Sequence, residues 1–213
     1  MKIIKPDVQF ITPIDGATIL KRLEQCGRVC YKSEDRITEG SAEKFVAGII
    51  KRGHEAVLEH CSFTVKFICD RGVSHEIVRH RLAAYCQEST RYCNYSKDGF
   101  GGEITVIQPC YLATFGAGYK MWKEACEAAE TAYFNMLNFG CSPQEARAVL
   151  PNSLKTEVVM TANIREWRHF LNLRCSPAAH PQMREVALIL LEKVHAIIPV
   201  CFDDVWEEYH EQS

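Results

Sequence analysis

Residues 154–174 read LKTEVVMTANIREWRHFLNLR and divide into two segments of different periodicity. Leu154 to Ala162 is rich in Thr, Val and Met, and its β-branched residues favour a strand. Between residues 163 and 174 the apolar side chains recur at helical spacing and form one face: Trp167, Phe170, Leu171 and Leu173. The stretch therefore predicts a strand that leads directly into an amphipathic helix.

The predicted helix also carries hydrogen-bond donors before, along and after its length: Asn163, Arg165, His169 and Arg174. An ordinary surface helix would explain Glu166, Arg168 and Asn172 as solvated side chains. It explains Arg174 less well, because this arginine follows a closed hydrophobic turn.

Scattered strands and long helices account for most of the remaining chain. Strand patterns occur over Val8–Thr12, Ser62–Asp70 and Glu103–Gln108. Helix patterns occur over Gly16–Tyr31, Ser41–Gly53, Tyr119–Gly140 and Met183–Ile198, with a short one around Phe202 and Trp206. This mixture predicts an α+β fold, and a length of 213 residues is consistent with a single domain over 1–213.

The composition excludes several classes of protein. A net charge of -2 argues against a dedicated nucleic-acid binder, which usually has a basic domain. The sequence has no apolar run of the roughly 20 residues that a membrane span needs, and its N-terminus does not resemble a signal peptide. The eleven cysteines include no CxxC pair, so we expect reduced, mostly buried thiols in a cytoplasmic protein.

Residues 79–92, RHRLAAYCQESTRY, combine a basic cluster with a dense polar run. Guanidinium groups bind phosphate and carboxylate through two parallel hydrogen bonds, so the stretch indicates an anion-binding wall beside a hydrogen-bonding pocket. The alternative is a helix end whose cations favour the negative end of the helix dipole. Arg79 and Arg81 would project about 200° apart on a helix. We therefore expect a helix capped by Ser74 to break near Arg81, with the following loop lining the pocket.

Two other motifs bear on the chemistry. The segment from His54 to His60 suggests a metal site, but its two histidines are six residues apart rather than four, so we expect none. Ser142-Pro143-Gln144-Glu145 is a capping box with Pro at the first helical position. Arg147 follows among apolar residues, where it must find an anionic partner or reach solvent.

Together these residues resemble the flavin-dependent thymidylate synthases. That family is marked by Arg-His-Arg, seven residues and then Ser, which Arg79-His80-Arg81 and Ser89 match. Further blocks resemble the family in the same order along the chain: 53–60, 146–151, 163–165 and 170–174. The resemblance therefore extends over nearly the whole sequence.

The resemblance implies a function, a set of partners and a fold. Members convert dUMP to dTMP with the methylene carbon of 5,10-methylenetetrahydrofolate, and FAD reduced by NADPH supplies the hydride. The family fold is a central mixed or antiparallel sheet flanked by long helices. It assembles as a homotetramer whose active sites lie between subunits. The resemblance implies no bound metal and no cysteine nucleophile.

The resemblance also implies roles for individual residues. Positions expected at the FAD are Ala56, Arg79, His80, Arg81, Gln87, Asn163, Arg165 and His169. Positions expected at dUMP are Glu76, Arg79, Gln87, Ser89, Thr90, Arg91, Arg147 and Arg174, some from a neighbouring subunit. Arg174 matches the catalytic residue that favours ionisation at N3 of the uracil and so activates C5.

Some positions depart from the commoner family pattern. Glu76 stands where Gln is frequent, so we expect it to face a ribose hydroxyl or pair with an arginine. Ala56 and Ala84 replace frequent hydroxyl residues, which leaves only backbone contacts there. His169 stands where some members have Asn and adds a titratable group.

Two alternative functions remain open at this point. A cysteine-dependent thymidylate synthase would need one activated thiolate, and no family block centres on a cysteine. A nucleotide-binding protein without turnover would keep the arginines, although the presence of both Ser89 and Arg174 argues against such decay.

Overall fold

A computed structural model describes residues 1–97, 99 and 101–209. The strands are β1 Lys2–Ile4, β2 Asp7–Phe10, β3 Ser62–Asp70, β4 Ala83–Gln87, β5 Thr105–Ile107 and β6 Lys155–Asn163. The helices are α1 Gly16–Tyr31, α2 Ser41–Lys51, α3 Arg71–Ile77, α4 Ala117–Asn138, α5 Pro143–Ala146, α6 Ile164–Arg174, α7 Pro181–Ile197 and α8 Pro199–Tyr209. The sequence also predicts a glycine-rich loop over Asp98–Gly102, of which residues 98 and 100 lie outside the described residues.

These elements confirm the predicted α+β class. One sheet has the strand order β2-β3-β6-β4, and β1 pairs with β5 in parallel, with Ile3 opposite Val106. Along β3 the side chains alternate, and Phe63, Val65 and Phe67 are buried as predicted. No helix in the described ranges is long and apolar enough to cross a membrane.

The chain divides into two compact units. Unit 1 comprises Met1–Asp7, Phe67–Arg79 and Cys86–Val159. Unit 2 comprises Val8–Lys66, His80–Tyr85 and Met160–Ser213. The division passes through β3, β4 and β6, so the ends of these strands are assigned to different units.

Unit 1 is built around the long helix α4. The sequence of α4 places Tyr119, Trp122, Cys126, Tyr133 and Met136 on one apolar face, and Cys126 and Tyr133 of this aromatic stripe are buried against Ile104, Val106 and Leu154. The capping box of α5 forms as predicted, since the Glu145 carboxylate accepts from the Ser142 backbone N–H at 2.8 Å. These contacts explain why the aromatic stripe of α4 belongs to a core.

Unit 2 packs its helices around α6. Asn163 caps this helix by accepting from the backbone N–H of Glu166 at 2.9 Å. Trp167 is fully buried and stacks on Phe63 with ring centroids 5.0 Å apart. The strand-to-helix transition predicted for residues 154–174 is therefore confirmed, and it fixes where the polar side chains of α6 lie.

The path of the chain through residues 71–87 differs from the prediction. Asp70 caps α3 by accepting from the Val73 backbone N–H at 2.8 Å, whereas Ser74 is buried inside the helix. The helix ends at Ile77, before Arg81, and the expected pocket-lining loop is instead strand β4. Pairing beside β6 requires extended backbone, so residues 83–87 form a strand where the sequence predicted a loop.

The burial expected from the sequence also differs from the structure at three positions of α6. Glu166 and Arg168 are each only 6% exposed, whereas Leu173, which was placed on the apolar face, is 49% exposed. Arg168 is stabilised in the interior by Asp204, whose two carboxylate oxygens accept from the guanidinium at 2.7 and 2.6 Å. A buried charge is tolerated when it is paired in this way.

Candidate active site

Unit 2 contains a cleft of about 720 Å³ beside the first three turns of α6. Its lining comprises Glu55, Glu59, Leu82, Asn163, Arg165, Glu166, Arg168, His169 and Asn172. Three residues predicted to contact FAD therefore share one cleft: Asn163, Arg165 and His169.

The cleft is rich in ionic groups because a 3₁₀ turn over Glu55–His60 faces α6. Arg165 donates to the Glu59 carboxylate at 2.6 Å and lies 3.4 Å from the Glu55 carboxylate. These two carboxylates raise the pKa of the exposed Arg165 guanidinium further above its usual range, with Glu59 contributing most. An anionic ligand at Arg165 must compete with both carboxylates.

His80 lies at the centre of a buried hydrogen-bonded chain in unit 2. Its Nδ1 is 3.2 Å from the Glu166 carboxylate, and its Nε2 is 3.1 Å from Nε of Arg174. The Tyr85 hydroxyl donates to the His80 carbonyl at 2.6 Å, and the Phe170 ring lies 4.8 Å from the imidazole. These contacts fix the imidazole at both ring nitrogens and on one face, and they fix the backbone of the same residue.

The proton positions in this chain follow from the donors. The Nε–H of arginine can only donate, so Nε2 of His80 accepts and Nδ1 carries the proton. Burial, reinforced by Arg174 and His169, lowers the pKa of His80 to about 4. Burial raises the pKa of Glu166. Near neutral pH the imidazole is therefore uncharged, with Nδ1–H directed at Glu166 and its Nε2 lone pair at Arg174.

Glu166, His80 and His169 offer three donor atoms that lie within 4.8 Å of one another. Two imidazoles and a carboxylate are a reasonable ligand set for a divalent metal. The Nε2 lone pair of His80 already accepts from Arg174, however, and Nδ1 carries a proton. A guanidinium at this distance would also repel a dication, so this cluster functions better as a hydrogen-bonded chain than as a metal centre.

The predicted dUMP residues other than Arg174 belong to unit 1. Arg147 donates to the Thr90 hydroxyl at 3.4 Å, and the Ser89 hydroxyl accepts from the Arg91 backbone N–H at 3.3 Å. Gln87, which was assigned to both ligands, donates to Ser74 at 2.9 Å and to Thr156 at 3.3 Å. The Arg147 side chain is thus exposed to solvent and makes one long hydrogen bond. Exposure was one of the two outcomes expected for this arginine among apolar residues.

The remaining predicted positions are less enclosed. Arg79, Arg81 and Ala56 are exposed, and Glu76 is half-buried. Arg79 and Arg81 follow α3 in the short segment before β4, so the Arg-His-Arg motif turns only its histidine into the interior. The anion-binding wall predicted for this stretch would therefore consist of Arg79 and Arg81, without the buried His80.

The comparisons with known proteins agree with one another. The sequence pattern of the family described as thymidylate synthase complementing protein matches residues 16–200. The flavin-dependent thymidylate synthase of Pyrococcus furiosus is 33% identical over 183 residues, which cover 85% of this chain and 74% of the relative. That of Mycobacterium tuberculosis is 34% identical over 217 residues, covering 93% and 84%.

The chain belongs to the flavin-dependent thymidylate synthase family. It is accordingly an enzyme. Among solved structures, the UMP/dUMP methylase PolB of Streptomyces cacaoi, bound with 5-Br dUMP, covers 98% of this chain and 98% of its own, with a TM-score of 0.77 and 21% identity. At that identity the likeness shows a shared fold.

Two hydrogen-bond partners of His80 were not found from the sequence. Glu166 bonds to His80, which is 86 positions away, and Tyr85 bonds to the carbonyl of the same residue. No local periodicity reports such contacts. The only available signal was a carboxylate between the donor residues Arg165 and His169, and an exposed helix face explained it equally well.

Proposed function

We propose that this chain catalyses the reductive methylation of dUMP to dTMP. In this proposal 5,10-methylenetetrahydrofolate donates the carbon and FAD, reduced by NADPH, supplies the hydride. The observation that carries the proposal is the bond from Arg174 to a buried, neutral His80 in a chain of this family. It gives the residue assigned to uracil activation a fixed orientation.

Arg174 suits that task because of its charge. A guanidinium stays protonated at any physiological pH, so it stabilises a developing uracil anion at N3 without taking the proton itself. A neutral imidazole on Nε orients the guanidinium without cancelling its charge. A carboxylate in the place of His80 would reduce the positive field that the uracil anion needs.

The cleft beside α6 fits the predicted FAD site in the type of side chain that it presents. Asn163 and His169 offer hydrogen-bonding groups, and Arg165 offers a cation once Glu55 and Glu59 release it. Both ring nitrogens of His80 are engaged, so a flavin contact from this residue would use its backbone. When bound, FAD supplies the hydride chemistry, and the protein positions it.

The arginines of unit 1 are suited to the phosphate of dUMP. In the described part of the chain neither Arg91 nor Arg147 is ion-paired, and both are exposed. Ser89 and Thr90 add hydroxyl groups next to them. Exposed guanidinium groups without a carboxylate partner bind phosphate with little competition from the protein itself.

The burial of several cysteines argues against a thiolate nucleophile. Desolvation raises the pKa of Cys175 and of Cys201 to about 12, and it raises the pKa of Cys61, Cys69, Cys93 and Cys126. Such thiols are protonated near neutral pH and react poorly. The exposed cysteines are Cys30, Cys86 and Cys110, which leaves them for a direct test.

The visible absorption spectrum of the purified protein tests the cofactor assignment. We expect a flavin spectrum that bleaches when NADPH is added with dUMP present, followed by formation of dTMP once 5,10-methylenetetrahydrofolate is added as the carbon donor. A flavin spectrum that bleaches without any dTMP would favour a flavoprotein of another activity. A colourless protein that FAD cannot reconstitute would contradict the proposal and favour the nucleotide-binding alternative.

A further inference from the structure

We propose that Glu166 is a positioning residue of this enzyme, which orients the Arg174 guanidinium through the imidazole of His80. The proposal rests on the function proposed above, since it assigns Arg174 to the reaction. It adds a residue for which the sequence alone offers only the alternative of a solvated side chain on a surface helix.

His80 bridges the distance between Glu166 and Arg174. Glu166 and Arg174 lie on the same helix eight residues apart, which is about 12 Å along the axis. They do not need to approach each other, because His80 contacts Glu166 at 3.2 Å and Arg174 at 3.1 Å. The imidazole thus connects the first turn of α6 to its last.

The direction of each hydrogen bond in this chain fixes the tautomer of His80. Arg174 requires an acceptor at Nε2, which is available only in the Nδ1–H tautomer of a neutral histidine. A carboxylate at Nδ1 accepts and cannot donate, so Glu166 stabilises that tautomer over the other. Without Glu166 the Nε2–H tautomer would place two donors, Nε2–H and the Arg174 Nε–H, against each other.

The burial of Glu166 and His80 is energetically costly. Glu166 is 6% exposed and His80 is 4% exposed, and burying a carboxylate is unfavourable unless it is hydrogen-bonded. A hydrophobic residue at position 166 would pack the interior more cheaply. The arrangement is therefore better explained by the orientation that it gives to Arg174 than by stability.

The test uses the variants Glu166→Gln and Glu166→Ala in the FAD-loaded enzyme. Glutamine keeps the shape but presents either an acceptor or a donor to His80, whereas alanine removes the contact. We expect kcat for dTMP formation to fall by about 10- to 100-fold with alanine, the range found when the orienting partner of a metal-bound histidine is lost, and by less with glutamine. KM for dUMP and flavin content should change little.

A second readout reports the tautomer directly. Nitrogen-15 NMR of the histidines, with His80 assigned from the spectrum of His80→Gln, should show Nδ1–H and unprotonated Nε2 in the wild type near pH 7. The Nε2–H form should appear in Glu166→Ala. The matched control is Glu24→Gln, because Glu24 is a buried carboxylate of α1 that bonds Arg28 and Ser41. This control should leave both kcat and the tautomer unchanged.

The kinetic and NMR results together either support or overturn the positioning role of Glu166. An unchanged kcat in Glu166→Ala would overturn the positioning role, as would a lower kcat with an unchanged tautomer, because the effect would then be general destabilisation. A wild type in which His80 is Nε2–H or charged would overturn the hydrogen-bond assignment. A wild type that forms no dTMP but shows the expected tautomer would overturn the proposed function and leave the bonding chain intact.

Discussion

The arginines of α6 in unit 2 differ from Arg91 and Arg147 in unit 1 in how completely the protein itself binds them. Arg168 makes two hydrogen bonds with Asp204, and Arg174 donates to His80. Arg147 makes one hydrogen bond of 3.4 Å, and the Arg91 guanidinium lies 5.5 Å from the Tyr92 ring centroid. The side chains of Arg168 and Arg174 are oriented before any ligand binds. Those of Arg91 and Arg147 have hydrogen-bonding capacity left for an anion.

This difference indicates that the two sets of arginines have different roles. A group that must stabilise charge developing during a reaction benefits from fixed orientation, because no reorganisation is then needed. A group that only captures a phosphate can be ordered by the ligand, at some cost in side-chain entropy. Substitution of the oriented Arg174 should therefore lower kcat, and substitution of Arg91 or Arg147 should mainly raise KM for dUMP.

The largest effect is expected for Arg174→Ala. Loss of the oriented cation removes the stabilisation of the uracil anion, which we expect to lower kcat by about 100- to 1,000-fold or more. Flavin content should stay close to that of the wild type. Steady-state dTMP formation together with the flavin spectrum checks both, and full activity would exclude the role assigned to Arg174.

Arg147→Ala should instead raise KM for dUMP. A hydrogen bond to a charged group contributes about 1.5 to 3 kcal/mol, which corresponds to roughly a 10- to 100-fold change. The effect should shrink at high salt, because screening weakens the contact with the phosphate. Arg36→Ala, another exposed arginine, serves as the control. A fall in kcat at unchanged KM would break the division proposed between the two units.

The pH dependence of stability should identify the buried histidine of unit 2. Because the pKa of His80 falls from an ordinary 6.5 to about 4, the unfolded chain binds a proton in that interval and the folded chain does not. The free energy of unfolding should therefore fall on acidification from pH 6.5 to 4, by at most about 3 kcal/mol. Glu166, whose pKa is raised, opposes this loss at the acidic end.

Urea unfolding at pH 6.5 and pH 5 measures that effect. Between these values the wild type should lose about 2 kcal/mol more than His80→Gln, which lacks the titrating group. Equal losses in the two proteins would show that His80 is not held neutral by its surroundings.

A smaller effect is expected from the ion pair in the cleft. Glu59→Gln removes the carboxylate that lies 2.6 Å from Arg165, so FAD should bind a few-fold more tightly at low salt, because an exposed ion pair competes only weakly. Fluorescence titration of the apoprotein with FAD measures the change. Weaker binding would show that Glu59 positions Arg165 rather than competing for it.

The smallest effect on turnover is expected for single cysteine substitutions. Cys110→Ser changes an exposed thiol and should leave kcat within about twofold, because no thiolate takes part. Cys175→Ser alters a buried site and should lower stability while activity persists. Loss of all turnover in a folded variant would restore the cysteine-dependent alternative.

Much of the fold was predictable where local signals were complete. The helix over Gly16–Tyr31 begins after Asp15, which accepts from Ala17 and Thr18, and β3 runs over the predicted Ser62–Asp70. Capping and alternation report local contacts, so a sequence displays them directly.

The site was only partly predictable, for a physical reason. The strand conformation of β4 depends on its pairing with β6, and the burial of Glu166 depends on His80, both of which are long-range contacts. A carboxylate on a helix looks solvated until the partner that compensates its burial is known. Residues such as Arg174 and Ser89 were found because a family motif names them.

The most direct measurement follows a labelled carbon. Purified enzyme with FAD, NADPH, dUMP and 5,10-methylenetetrahydrofolate labelled with carbon-13 at the methylene group should yield dTMP that carries the label in its 5-methyl group. Omission of either NADPH or the folate should stop the reaction. Unlabelled dTMP, or no dTMP from a protein that holds reducible flavin, would contradict the proposed reaction.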